Sequence, residues 1–228
     1  MMGVIQIQRI FRGYNLRKKI LPLIMYVIKK YLIKENISYC KSANDGRINS
    51  CYDEETIINL LRQKFGNRLK VPLKRHWFDF AIKDYVYGWL PINIKTTTTR
   101  TTDNVGNLSL CVQAYTNYEL DLRKNYQNGF LSRILLRELR NNNYNKKIKK
   151  DYYFLVCNKE NNEIIVNSVK GLKELTSNNN NLPFQVCWKN NKSFEYKSID
   201  KCVEEFVKTI QKPRPTWKEN FLSKIREL

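Results

Sequence analysis

The sequence has one histidine in 228 residues, and its six cysteines include no pair with the Cys-x-x-Cys spacing of zinc sites. This shortage argues against a zinc site. Cys111, Cys157, Cys187 and Cys202 each lie among apolar residues, which is typical of buried free thiols. We therefore expect no disulfide bonds and a reducing intracellular compartment, cytoplasmic or nuclear.

Long apolar runs are also missing, so no membrane-spanning helix and no membrane partner are expected. The apolar segment 20–28 is short, is bracketed by basic residues and has no small-residue cleavage site, which argues against a signal peptide. The motifs GxxxxGK, GxGxxG and GxSxG do not occur, which removes the commonest nucleotide-binding and acyl-transfer functions.

Acidic residues are scarce. Lysine and arginine number 41 against 21 aspartates and glutamates, a net charge of +20 that is spread along the whole chain. A field of this sign attracts polyanions, above all nucleic acid. Compositional drift towards Lys, Asn and Ile would explain the lysines but not the shortage of acids, so we expect nucleic acid as a partner. The length and the 42% of hydrophobic residues predict one compact domain.

A predicted β-hairpin stands at the centre of the sequence. Apolar residues alternate over 78–83, a turn is expected at 84–88, and a second alternating stretch runs over 89–95. Three polar side chains would then stand on two paired, otherwise apolar strands: Asp79, Asn93 and Lys95.

These three side chains suit metal-assisted hydrolysis of a phosphodiester. Mg²⁺ takes oxygen ligands, often one or two carboxylates completed by water and substrate phosphate. Such an ion polarises the phosphoryl oxygen. Lys95 could orient or deprotonate the attacking water, or hold the phosphate as a cation. The alternative is an ordinary hairpin with a solvated Asp and Lys.

An Asp on one strand followed by the triplet 93–95 on the next resembles the PD-(D/E)XK nuclease signature. The run PINIKTTTTRTTDN looks like the segment of certain type II restriction endonucleases in which NIK precedes a Thr-rich stretch and a DN pair. The resemblance covers 53–188, and its informative part is 79–107. It implies an α/β fold, with a restriction-endonuclease-like central mixed β-sheet flanked by helices. It also implies a Mg²⁺-dependent endonuclease that acts on double-stranded DNA, in which Mn²⁺ could replace Mg²⁺. Cutting both strands makes a homodimer plausible.

The chain departs from the family at Asn93, where the family has a second acid. A neutral carbonyl should weaken metal affinity unless another acid compensates, and Glu54, Glu55 and Asp103 are the candidates. The family often adds a glutamate from the preceding helix, a place that Glu55 fits best. The resemblance thus implies catalysis by Asp79, Asn93, Lys95 and Glu55, with all but the lysine as metal ligands. The expected DNA contacts are Thr97, Thr99, Arg100, Asp103 and Asn104, although a plain polar strand or loop is an equal alternative.

The N-terminal segment matches every fixed position of the IQ motif, at Ile7, Gln8, Arg12, Gly13 and Arg17. The resemblance implies a basic amphipathic helix that binds calmodulin or a related EF-hand protein. The alternative is a basic helix that lies on its own domain or on DNA phosphates. We therefore predict an N-terminal basic helix over 1–34, a linker over 35–52 and the nuclease-like domain over 53–228.

Further elements follow from periodicity and turn residues. We predict a helix over 53–65 capped by Asp53, and for the single His76 an exposed loop residue or phosphate contact in preference to a general base. The segment 107–117 fits a helix or a strand. The remaining predictions are helices over 129–140, 199–210 and 217–228, and strands over 152–157, 163–169 and 182–188.

Two other functions stay open beside the nuclease. Asn93 favours a catalytically inactive DNA-binding module that keeps the nuclease fold. The IQ motif allows a calmodulin-binding adaptor.

Overall fold

A computed structural model describes residues 21–40, 46–73, 76–99, 102–105, 107–145, 150–177 and 184–211. In this part of the chain the helices are α1 (Leu23–Glu35), α2 (Gly46–Phe65), α3 (Leu108–Tyr115), α4 (Asn128–Arg140) and α5 (Ile199–Gln211). The strands are β1 (Leu69–Lys70), β2 (Phe80–Asp84), β3 (Gly88–Thr97), β4 (Thr102–Asn104), β5 (Tyr153–Asn158), β6 (Ile164–Ser168), β7 (Thr176–Ser177) and β8 (Phe184–Cys187). Arg100, the predicted helix over 217–228 and the IQ positions Ile7, Gln8, Arg12, Gly13 and Arg17 lie outside the described residues.

Five strands form the main sheet in the order β1-β2-β3-β5-β6. β3 runs parallel to β5, and the other neighbours are antiparallel, so the sheet is mixed as expected. A smaller antiparallel sheet has the order β4-β8-β7. The predicted α/β class is confirmed at this level, with helices on both sides of a mixed sheet.

The predicted central hairpin is confirmed, with Phe80 opposite Ile92 and Asp84 opposite Gly88. The Asp84 carboxylate stabilises the turn, because it accepts hydrogen bonds from the backbone N–H groups of Val86 (2.8 Å) and Tyr87 (2.9 Å). Gly88 has φ +75°, a left-handed conformation that glycine adopts without strain.

The main sheet separates two hydrophobic clusters. On the α1–α2 face, strand residues such as Phe80, Ile92 and Ile94 pack against α1 and α2. On the opposite face, residues such as Ala81 and Phe154 pack against α3, α4, α5 and the smaller sheet. This two-sided burial follows from the alternation of side chains along each strand.

Helix α1 belongs to this core. Ile24, Met25, Ile28 and Leu32 are buried in the α1–α2 cluster. The described part of the predicted N-terminal helix is therefore packed against the sheet. No helix among the described residues has both the length and the apolar character needed to cross a membrane.

The predicted boundary between linker and helix is wrong. Helix α2 begins at Gly46, so the second part of the expected linker over 35–52 is helical. Asp53 lies inside the helix and is buried, and therefore does not cap it. Its carboxylate accepts from the Cys40 N–H at 2.7 Å and pairs with the Lys159 ammonium at 2.7 Å. This long-range pairing replaces the local cap that the sequence suggested.

The remaining elements agree with the pattern to within a few residues. The segment left open as helix or strand is helix α3, whose Asn107 side chain accepts from the Leu110 N–H at 2.8 Å as an N-cap. Helices α4 and α5 and strands β5, β6 and β8 lie where the periodicity predicted them.

Candidate functional site

Asp79 lies beside residues 92–94 of β3, just before β2 begins. The Asp79 N–H donates to the carbonyl of Ile92 at 3.0 Å, and Ile92 is also the partner of Phe80, so the regular pairing of the two strands ends at Phe80. The Asp79 carboxylate accepts from the Ile94 N–H at 2.6 Å. These two bonds to the residues on either side of Asn93 hold Asp79 next to it.

Lys95 shares this face of the sheet. Ile92 and Ile94 point to the α1–α2 face, so the alternate residues Asn93 and Lys95 project from the opposite face. Asp79 reaches this part of β3 through its hydrogen bond from the Ile94 N–H. The structure thus brings together the three polar residues predicted from the hairpin.

Two further carboxyls lie within electrostatic range of Lys95. Burial raises the pKa of Glu54 in α2, of Asp79 and of Asp103 in β4, and the positive charge of Lys95 opposes this rise in all three. None of these carboxyls forms an ion pair with Lys95 among the described residues, so the effect acts at longer range. The site is therefore built from one helix and from strands of both sheets.

Burial opposes ionisation in this cluster. Removal from water, reinforced by the charge of Asp79, raises the pKa of Glu54 from its ordinary 4.5 to about 7, although Lys95 and Lys159 lower it. Burial likewise raises the pKa of Asp79 and of Asp103 against the effect of Lys95. Desolvated carboxylates of this kind gain stability from a proton or from a metal cation.

Glu54, and not Glu55, is the half-buried acid of α2 that is affected by the charges of Asp79 and Lys95. Asp53, Ile57 and Leu61 form the buried stripe of α2, so Glu54 at its border is half-buried, whereas Glu55 is exposed to solvent. The helical spacing of these buried residues was visible in the sequence and could have made this choice. The choice of Glu55 over Glu54 followed from the incorrect prediction that Asp53 caps the helix.

The site offers few protein oxygens, so it fits a magnesium ion only if the ion keeps several of its water ligands. The Asn93 Oδ1 atom is buried and makes no hydrogen bond within the described residues, and such an orphaned oxygen suits a cation. Across the described ranges, however, no group of three or more His, Cys, Asp or Glu side chains could hold a metal ion. The fit is therefore a set of two carboxylates and one amide, which Mg²⁺ accepts because it keeps several waters.

Thr97 and Thr99 do not present their side chains to DNA, contrary to expectation. Both are buried. The Thr97 hydroxyl accepts from the Thr99 N–H at 3.3 Å, and the Asn158 amide donates to the Thr99 hydroxyl at 3.1 Å. Thr99 also has φ +61°, a strained conformation for a β-branched residue. These threonines hold the end of β3 in place, and Asp103 and Asn104 remain the described DNA-contact candidates.

His76 is half-buried, so the expectation of an exposed loop residue is wrong. Its ring lies edge-on to Phe78 with 4.6 Å between the ring centres. Burial lowers the pKa of His76, and neither ring nitrogen makes a hydrogen bond in the described part of the chain. A neutral imidazole packed on an aromatic ring is a poor phosphate ligand.

Comparison with models of known protein families and with the sequences of curated proteins gives no match. The interpretation of the site therefore depends on its own geometry and chemistry.

Proposed function

We propose that this protein is a Mg²⁺-dependent DNA endonuclease that hydrolyses phosphodiester bonds, with sequence specificity of the type II restriction kind. The restriction-endonuclease-like arrangement of the main sheet is part of this proposal. The observation that carries it is the hydrogen bond that holds the Asp79 carboxylate beside Asn93, with Lys95 and Glu54 in electrostatic range of that carboxylate.

The carboxylates of Asp79 and Glu54 and the Asn93 amide oxygen would hold the ion. Bound Mg²⁺ supplies polarisation of a phosphoryl oxygen, and Mn²⁺ could supply the same. The raised pKa of both carboxyls supports this role, because a cation favours their charged forms. The Ile94 N–H fixes the Asp79 carboxylate, so its orientation is set before substrate arrives.

Lys95 contributes a positive charge beside three carboxyls. In the proposed reaction its ammonium holds the scissile phosphate and orients the attacking water. It also reduces repulsion between the carboxylates before the ion and the DNA bind. Cleavage of both strands requires two such sites, so a homodimer cuts duplex DNA and a monomer nicks it.

A catalytically inactive DNA-binding module is the second candidate. The neutral amide of Asn93 and the small number of acidic ligands favour it. The two candidates differ in their need for metal, because an inactive module binds DNA equally well in the presence of a chelator.

Cleavage of supercoiled plasmid by the purified protein tests the proposal. The comparison includes wild type with Mg²⁺, wild type with EDTA, Lys95→Ala, and Lys30→Ala in the exposed surface of α1 as a matched control. We expect discrete linear fragments from wild type and from the control, and a loss of about 100-fold or more in Lys95→Ala. Circular dichroism checks that each variant is folded.

Nicked circles alone would indicate a monomeric nickase. A different outcome is that the protein shifts DNA on a gel without cleaving it in either Mg²⁺ or Mn²⁺. This result would refute the proposed nuclease activity and favour the inactive DNA-binding module. Asn93→Asp is then the informative variant, because gain of cleavage would identify the amide as the missing acid.

A further inference from the structure

Strand β1, the residue before it and the β2–β3 hairpin together carry a group of cations and aromatic rings that the proposed chemistry does not use. The Arg68 guanidinium carbon lies 4.4 Å from the centre of the Tyr85 ring, and the Lys70 ammonium lies 4.3 Å from the Trp89 ring. Lys83 is opposite Trp89 in the pairing of β2 with β3. We refer to Arg68, Lys70, Lys83, Tyr85 and Trp89 as the hairpin strip.

The strip shares a sheet face with the candidate site. Lys70 is opposite Ala81, whose side chain belongs to the core on the face opposite α1 and α2. Lys83 follows Ala81 by two residues, so it projects from the same face. Asn93 and Lys95 of the candidate site project from this face as well, so the strip and the site share one surface of the β1–β2–β3 part of the sheet.

The cations of the strip are not neutralised by acids within the described residues. Arg68, Lys70 and Lys83 take part in none of the ion pairs found there, and both lysines are exposed. The nearest acid in sequence, Asp84, is buried and its carboxylate is occupied by the turn N–H groups. The strip thus presents uncompensated positive charge to solvent.

We propose that the hairpin strip binds the sugar–phosphate backbone of the DNA that enters the candidate site. This inference rests on the proposed function. The charge is complementary to phosphate, and the rings of Tyr85 and Trp89 hold two of the cations by cation–π contacts, which reduces the ordering needed on binding. Tyr85 is itself 87% exposed and leaves ring surface for a sugar or a base.

The length of the strip sets its footprint. Strand residues rise about 3.3 Å each, so Lys83 lies about 13 Å and Tyr85 about 20 Å along the hairpin from Asp79. Successive phosphates of one strand are spaced by about 3.4 Å along the DNA axis. Lys70 pairs with Ala81, only two residues or about 7 Å from Asp79. On DNA that runs along the strands, the two lysines therefore contact phosphates about two to four nucleotides from the bond that is cut.

The salt dependence of binding tests the inference. The double variant Lys70→Gln/Lys83→Gln is compared with Lys30→Gln/Lys34→Gln, which removes the same charge from the exposed surface of α1 beyond the other face. Binding to a fluorescent 20-base-pair duplex is measured by anisotropy in EDTA at several salt concentrations. Loss of two phosphate contacts lowers the slope of log affinity against log salt by about 1.8. The control should change it little.

Each outcome is decisive. The proposal would be overturned if the two double variants gave equal slopes of log affinity against log salt concentration. It would also be overturned if the wild type did not bind the duplex. Both double variants should fold normally, because the substituted lysines are exposed and lie outside the core. Thermal unfolding verifies this. Binding through the strip without any plasmid cleavage would support the strip and refute the nuclease, whereas cleavage with equal slopes would refute the strip alone.

Discussion

Replacement of Glu54 by glutamine should stabilise the protein at alkaline pH while abolishing metal-dependent cleavage. The Glu54 carboxylate is half-buried and lies near the negative charge of Asp79, and these effects raise its pKa from 4.5 to about 7. At pH 8 the folded protein must therefore carry an unfavourable charge that the unfolded chain carries freely. Glutamine keeps the shape of the side chain and removes that charge.

The magnitude follows from linkage between protonation and folding. The unfolded chain releases the Glu54 proton near pH 4.5 and the folded chain only near pH 7, so stability falls as pH rises through this window. Each pH unit is worth about 1.4 kcal/mol, so the shift from 4.5 to about 7 sets an upper limit of about 3.5 kcal/mol. Solvent around the half-exposed side chain screens the charge, and we expect about 1–2 kcal/mol at pH 8.

Thermal unfolding in EDTA measures this difference. For a chain of this size, about 1–2 kcal/mol corresponds to a rise in Tm of about 2–8 °C. The difference between Glu54→Gln and wild type should grow from pH 4 to pH 8. Glu55→Gln is the matched control, since Glu55 is the next residue of the same helix and is exposed. That variant should leave Tm nearly unchanged at both pH values.

In the presence of Mg²⁺ at pH 8, wild type should become more stable than Glu54→Gln. Bound metal stabilises the folded state by mass action, so Mg²⁺ should raise the Tm of wild type at pH 8 more than that of Glu54→Gln. An unchanged Tm of Glu54→Gln at pH 8 in EDTA would refute the argument from burial. A larger effect of Glu55→Gln would show that the sequence-based choice of acid was correct.

Two further predictions concern the packing of the N-terminal part of the chain. Asp53→Ala should lower the free energy of unfolding by about 3 kcal/mol in urea titrations, because it leaves the Lys159 ammonium without its buried partner; a loss below 1 kcal/mol would contradict this. Deletion of 1–20 removes the IQ motif and should leave folding and plasmid cleavage intact, whereas deletion of 1–31 also removes buried residues of α1 and should lower Tm strongly. Equal Tm values for the two truncations would contradict the packing of α1.

The sequence predicted the hairpin for local reasons. The alternation of apolar residues set the two strands, and the five-residue turn 84–88 set their register, because each pair of residues follows from the turn. Once register is fixed, Asp79 falls close to Asn93, although the regular pairing stops at Phe80 and Ile92. The amphipathic helices α4 and α5 were equally readable, since their apolar spacing follows the helical period.

Contacts between distant segments were beyond the reach of such patterns. The burial of Thr99, which depends on Asn158 across 59 residues, turned an expected DNA contact into a structural residue. The start of α2 at Gly46 likewise has no strong local signal, and the ion pair of Asp53 with Lys159 joins segments that the sequence does not relate.

The sequence by itself thus determined the strands, their register and the proximity of Asp79, Asn93 and Lys95, because periodicity and turn length are local properties. Only the tertiary structure decided which acids join them. The rotation of α2 places Glu54 towards the sheet and Glu55 towards solvent, and the second sheet brings Asp103 to Lys95. Packing of helix on sheet and of sheet on sheet fixes these positions, and that packing depends on the whole core.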